Sequence, residues 1–227
     1  VLLDIKLYLL DEIREIGELA DALFQLLIRL ANQHKNVLLP GYTHFQVAMP
    51  SSFGLWFGAY AEALVDDAEF LLSVKNIINK NPLGSAAGYG SSFPIDREST
   101  TCHLNFKTLN YNSVYAQMTR GKSEKLLASS MSVLAGTLSR FSYDVCLYLS
   151  QNFDFIRFPK EFTTGSSIMP HKKNPDIFEL VRARCNRIQS LPNELILLTN
   201  NLPSGYHRDL QLTKEILFPA IDSLKEC

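Results

Sequence analysis

The chain has 227 residues, enough to bury a sizeable core in one or two domains without a disulfide or metal staple. Hydrophobic residues make up 46% and charged residues 20%, a globular balance that excludes a disordered chain. Lys+Arg (22) against Asp+Glu (23) leave a net charge of -1, which excludes a global basic field for nucleic acid.

No stretch approaches the roughly 20 apolar residues of a membrane span. The Leu-rich run from Leu19 to Leu30 is broken by Asp21, Gln25 and Arg29. Cys102, Cys146, Cys185 and Cys227 form no Cys-x-x-Cys pair, so no zinc or redox motif is indicated, and a soluble protein of the reducing cytoplasm is expected. Val1 already lies inside an amphipathic pattern and Cys227 inside another. The chain therefore reads as the central helical-bundle domain, residues 1–227, of a longer protein.

In chain order, apolar residues at Leu2, Ile5, Leu9, Ile13, Ile16, Leu19, Leu23, Leu27 and Leu30 cover 28 residues in eight steps, a mean of 3.5 that predicts a long bundle helix. Pro50 and Ser51 supply start chemistry for a helix of roughly 25 residues with Phe53, Phe57, Tyr60 and Leu64 on one stripe. A second 3.5-step seam runs through Leu127, Met131, Leu134, Leu138, Phe141, Val145 and Tyr148. Phe153 to Phe158 alternates as a short hairpin strand would. Pro175 opens another helix, bent near Pro192, and a last one begins near Thr213. The expected fold class is all-α, a long-helix bundle with functional loops at its ends.

Four non-helical segments carry chemistry. In Gly165-Ser166-Ser167-Ile168-Met169-Pro170-His171-Lys172-Lys173-Asn174-Pro175, small residues free the backbone N–H groups. Lys172 adds a positive charge, and the following helix N-terminus adds a partial one. Such a loop suits closure over an anion, though the same composition also suits a solvated surface loop. In Pro40-Gly41-Tyr42-Thr43-His44-Phe45-Gln46-Val47-Ala48-Met49-Pro50, His44 offers proton exchange near neutral pH, or a histidine satisfied in a turn. The glycine-rich stretch Asn81 to Arg97 lacks the Gly-Lys-Ser/Thr of a phosphate loop, which disfavours a nucleotide cradle. Gly205 to Lys214 gathers polar groups of every hydrogen-bonding type, as an ordinary charged helix start also does.

These segments resemble the fumarase/aspartase superfamily, whose Gly-Ser-Ser-x-Met-Pro-x-Lys-x-Asn-Pro loop is matched at all eight named positions from Gly165 to Pro175. Pro40 to Pro50, Leu83-Gly84-Ser85, Phe93 to Arg97 and Tyr-x-x-Asp-Leu-Gln at Tyr206 to Gln211 are similar to the argininosuccinate lyase family within it. The resemblance implies β-elimination of argininosuccinate to arginine and fumarate without cofactor or metal. It implies Ser166 as the base, His44 as the acid for the leaving nitrogen, Glu179 paired with that histidine, and Lys172 stabilising the developing charge. It further implies Thr43 and Asn174 on the succinyl carboxylates, Tyr206, Gln211 and Lys214 farther out on the substrate, and Arg97 and Ser85 as additional contacts.

As partners it implies the small-molecule substrate and a homotetramer with shared active sites around a central bundle, with neither nucleic acid nor membrane. His207, Leu212 and Thr213 depart from the family, where many members carry Asn, Glu and Asp. A sister fumarate-releasing lyase and a catalytically silent helical scaffold are the alternatives.

Overall fold

A computed structural model describes residues 1–165, 167–169 and 171–227; Ser166, the expected base, and Pro170 lie outside the described residues. The helices that set the frame are α1 (Leu2–Gln33), α2 (Phe53–Ile78), α5 (Lys122–Leu149), α6 (Asp176–Ile188), α7 (Leu191–Leu198) and α8 (Thr213–Lys225). Two short helices, α3 (Arg97–His103) and α4 (Ser113–Met118), sit in the connection between α2 and α5. α1 packs along α2, α2 along α5, and α5 against α6, α7 and α8.

The 3.5-residue seams are the core. Ile5, Leu9, Ile13, Ile16 and Leu27 of the first are buried, as are Leu127, Met131, Leu134 and Val145 of the second. Each large apolar side chain so buried contributes about 1.5–3 kcal/mol. Leu19 lies on the first seam yet is 46% exposed, because it lines an open apolar cleft with Leu23, Leu138 and Leu224.

Pro40 to Pro50, read from sequence as a loop, is an antiparallel hairpin of β1 (Leu38–Thr43) and β2 (Gln46–Ser52). Pro40 faces Pro50 across it, and the register slips between Gly41 and Tyr42. With only these two strands in the sheet, a residue without an N–H is tolerated on either. Pro50 and Ser51 thus belong to β2, and the start of α2 is set by Ser52, whose Oγ accepts from Leu55 N at 3.2 Å.

Phe153 to Phe158, read as strand-like, forms none. Phe155 N and Ile156 N fold back to donate to Tyr148 O at 2.9 and 3.3 Å. The alternating phenylalanines are explained by ring packing, with Phe153 and Phe155 against Tyr148 and against Tyr42 of the hairpin. Near Pro192 the chain does not bend a helix but breaks between α6 and α7, with the proline in the first turn of α7, where its missing N–H costs nothing. Short parallel pairing of β3 (Lys80–Asn81) with β4 (Thr108–Leu109) ties the α2–α5 connection together.

Candidate active site

The expected site residues fall into two groups at opposite ends of the bundle. α1 runs from the Ser85 end, here the second, to the His44 end, here the first; α2 returns, and α5 runs out again over 28 residues, about 42 Å at 1.5 Å per residue. Thr43, His44, Lys172, Asn174 and Glu179 gather where α5 ends; Ser85, Arg97, Tyr206, Gln211 and Lys214 gather where it begins.

At the first end, the β1–β2 turn is His44-Phe45, with φ of 52° and 59°. Two successive left-handed residues make the tight two-residue hairpin turn usually left to Asn-Gly, so His44 is held out into solvent at the tip. The hairpin is steered by Tyr42, whose ring lies edge-on to Phe153 at 5.5 Å. Behind it, Asp144 accepts from Trp56 Nε1 at 3.0 Å and from Tyr60 Oη at 2.6 Å, locking α2 to α5. Burial, reinforced by Asp144, pushes the Tyr60 phenol far up, so it remains a donor.

The glycine-serine loop leaves and rejoins the bundle through one backbone bridge, Thr164 to Asn174, from which Pro175 leads into α6. Glu179, in the first turn of α6, faces a cleft of about 440 Å³ lined also by Cys146, Arg157, His171 and Lys173. Asp154 lines the same cleft and takes two bonds from Arg157, which leaves Lys173 and His171 as the groups there that can meet an anion. Burial pushes the Cys146 thiol up, so beside Glu179 it is a neutral wall, not a nucleophile. Lys172 is exposed on the loop. Among the described residues no ion pair joins His44 to Glu179 within the chain.

At the second end, Ser85 is buried and shares a cleft of about 390 Å³ with Gln117, Arg120 and Tyr206. The Tyr206 hydroxyl accepts from Gln211 Nε2, which joins two of the expected substrate contacts directly. Lys214 is half-buried in the first turn of α8. Arg97 is differently engaged: Nε donates to Leu83 O at 2.9 Å, Nη1 to Tyr111 O at 3.1 Å and Nη2 to Asn110 O at 2.7 Å. Three of its five donors thus tie the turn bearing Ser85, through Leu83 O, to the Asn110–Tyr111 segment.

Sequence reading missed Arg120 and Glu124, a buried ion pair with Nε–Oε1 of 2.7 Å beneath the Tyr206 segment. Their four-residue spacing at a helix start was the available signal. It also missed Arg157, His171 and Lys173 as cleft-lining groups, which no motif marks.

Long seamed helices capped by a glycine-serine loop and a histidine hairpin define a bundle of the fumarase/aspartase superfamily type. A family model described as "Lyase" matches residues 1–190, and the chain belongs to that family. It is 61% identical over all 227 residues to the argininosuccinate lyase of Parabacteroides distasonis, of which it covers 51%. The chain spans about half the length of the curated relatives it matches. In fold it is similar to EDDS lyase in complex with formate, with a TM-score of 0.86 at 23% identity over 97% of this chain and 45% of that one. It is equally similar to the class II fumarase of Schistosoma mansoni, with a TM-score of 0.86 at 20% identity over 99% of this chain and 52% of that one. No helix among the described residues is long and apolar enough to cross a membrane.

Proposed function

We propose that residues 1–227 are the central helical-bundle domain of an argininosuccinate lyase of the cytoplasm, which cleaves argininosuccinate to arginine and fumarate. The observation that carries this reading is the complete Gly165 to Pro175 sequence motif, whose His171, Lys173 and Pro175 line a cleft with Glu179, in a chain 61% identical throughout to an argininosuccinate lyase.

The reaction removes a weakly acidic proton from the carbon next to a succinyl carboxylate, then breaks the bond from the neighbouring carbon to the guanidinium nitrogen. The carbanion stage places two negative charges on one carboxylate, so a fixed positive field must be present beforehand. Ser166 takes the proton; its oxyanion form requires the same field and a water-free loop. Lys172, loop N–H groups and the α6 N-terminus supply that field. Thr43 and Asn174 hold the carboxylates. His44 returns a proton to the leaving nitrogen, with Glu179 as its carboxylate partner.

Tyr206, Gln211 and Lys214, with Ser85 nearby, grip the amino-acid end, which distinguishes argininosuccinate from smaller acids. A substrate cannot touch both groups when they stand about 40 Å apart along one α5. The reading therefore requires more than one copy at each site, as in the homotetramer that the resemblance implies, with one end taken from one copy and the other end from another. Exposed apolar residues along α2, including Leu55 and Leu72, fit burial against such neighbours.

The test is fumarate release, followed by ultraviolet absorbance, from argininosuccinate, adenylosuccinate and malate with the full-length protein and its Ser166→Ala variant. Release from argininosuccinate alone, abolished in the variant, is the expected result. Release from adenylosuccinate or malate instead identifies a sister lyase, and no release from a folded tetramer identifies a silent scaffold.

A further inference from the structure

A buried ion pair lies beneath the Tyr206 segment. Arg120 and Glu124, with side chains 2% exposed, are joined Nε to Oε1 at 2.7 Å. Glu124 Oε2 accepts from Gly121 N at 2.7 Å. Arg120 Nη2 then crosses to Leu210 O at 2.6 Å, spanning 90 residues of sequence. Thr213, fully buried, donates through Oγ1 to the same Leu210 O at 2.9 Å and to Glu124 Oε1 at 3.4 Å.

A buried ion pair is seldom a net source of stability, because desolvation of both ions offsets their attraction; its best-attested use is to fix one arrangement against others. Here what it fixes is specific. Leu210 directly precedes Gln211, whose amide donates to the Tyr206 hydroxyl, and Thr213 directly precedes Lys214. The backbone contact is close enough that a Cβ on Gly121 would stand 3.0 Å from Leu210 Cδ2. Arg120 also lines the cleft that Ser85 and Tyr206 share.

We propose that Arg120, Glu124 and Thr213 are positioning residues that set the Tyr206–Gln211–Lys214 grip at the geometry needed for the amino-acid end of the substrate. This rests on the reading of that trio as substrate contacts. The network lies beneath the grip, bonded to Leu210 O, and supplies none of the proton-transfer groups, so its loss weakens binding and spares the chemical step.

The experiment uses full-length tetramer and steady-state kinetics with argininosuccinate for Thr213→Val, Thr213→Ser, Arg120→Met, Gln211→Ala and the double variant Thr213→Val/Gln211→Ala. Thr213→Val keeps side-chain volume and leaves no unpaired buried charge, so it carries the test if Arg120→Met fails to fold. The expected results are a KM raised about ten-fold in Thr213→Val with kcat within about two-fold of the parent, and a parent-like KM in Thr213→Ser. In the double variant the KM should be close to that of Gln211→Ala alone, because both changes undo the same grip.

An unchanged KM in Thr213→Val beside a raised KM in Gln211→Ala overturns the positioning role while leaving the grip intact. A KM unmoved by Gln211→Ala overturns the grip itself and the proposal with it. A fall in melting temperature and active fraction with KM unmoved makes the network structural only.

Discussion

Thr164 and Asn174 face each other across the neck of the glycine-serine loop. Asn174 N donates to Thr164 O at 2.9 Å, Thr164 N donates to Asn174 O at 3.3 Å, and Asn174 Nδ2 reaches Thr164 Oγ1 at 3.4 Å. The Thr164 hydroxyl in turn donates to Asp176 Oδ2 in the first turn of α6. One threonine thus ties both strands of the neck to the helix that carries Glu179. Thr164→Val removes the side-chain bonds and keeps the backbone bridge. We expect kcat for argininosuccinate to fall about ten-fold through misplacement of the loop, with the melting temperature little changed. A kcat equal to that of the parent would show that the backbone bridge alone sets the loop.

Lys6 is a buried cation with an imbalance that pH should reveal. Only 1% exposed, it donates to Lys80 O at 2.9 Å and to Asn110 Oδ1 at 2.8 Å. Burial chiefly, then the charge of Lys80, lowers its pKa from 10.5 to about 8, against an opposing pull from Glu124. Between pH 8 and 10.5 the unfolded chain holds this proton more tightly than the folded one, so stability rises with pH across that window. The contribution is complete above the upper value and lost as pH falls through the lower. Across it the parent should gain on the order of 3 kcal/mol relative to Lys6→Met, read from denaturant unfolding at intervals of pH. Parallel profiles for the two proteins would mean that Lys6 keeps an ordinary proton affinity in the fold.

How much of this was legible in the sequence follows the physics of each feature. The long helices could be read because Leu9 or Met131 must return to the core every 3.5 residues, and that constraint is written directly into residue spacing. The β1–β2 hairpin could not, because Pro40, Gly41 and Pro50 are strand breakers by composition and His44-Phe45 lacks the glycine that normally marks such a turn. Phe153 to Phe158 misled for the complementary reason: a period of two records which rings pack, and ring packing on Tyr148 produces it without a partner strand. At the site, residue types were legible and placement was not. Nothing in the spacing of His44 and Gln211 says that they stand at opposite ends of one bundle, and nothing marks Arg97 as a group already committed to three carbonyls.

Asp144 makes the hairpin end sensitive to one carboxylate. It takes the indole N–H of Trp56 and the hydroxyl of Tyr60, and Trp56 is stacked on Phe141 at 5.4 Å. Asp144→Ala leaves two poorly hydrated donors without partners, at a cost of about 2–4 kcal/mol, whereas Asp144→Asn retains an acceptor oxygen and should cost less than half of that. Denaturant unfolding of the full-length protein and both variants, followed by circular dichroism, measures the two costs side by side. Equal stability of the two variants would count against hydrogen bonding as the link between α2 and α5.

Gly84 and Arg97 bear on whether that arginine touches substrate or holds the turn. Gly84 has φ of 82°, and a Cβ there would stand 2.8 Å from Arg97 Cγ, so alanine both strains the backbone and displaces the guanidinium. Lysine at 97 cannot reproduce a planar fork aimed at Leu83 O, Tyr111 O and Asn110 O. Both Gly84→Ala and Arg97→Lys should therefore lower stability by about 1–3 kcal/mol, since each leaves the carbonyls of Leu83, Asn110 and Tyr111, in two separate segments, without donors. The KM for argininosuccinate should move only as far as Ser85 is displaced. A substrate contact gives the opposite pattern, with Arg97→Lys raising KM at an unchanged melting temperature while Gly84→Ala lowers the melting temperature alone. Measuring both quantities on both variants separates the two roles, and the three carbonyl bonds predict that the two melting temperatures fall together.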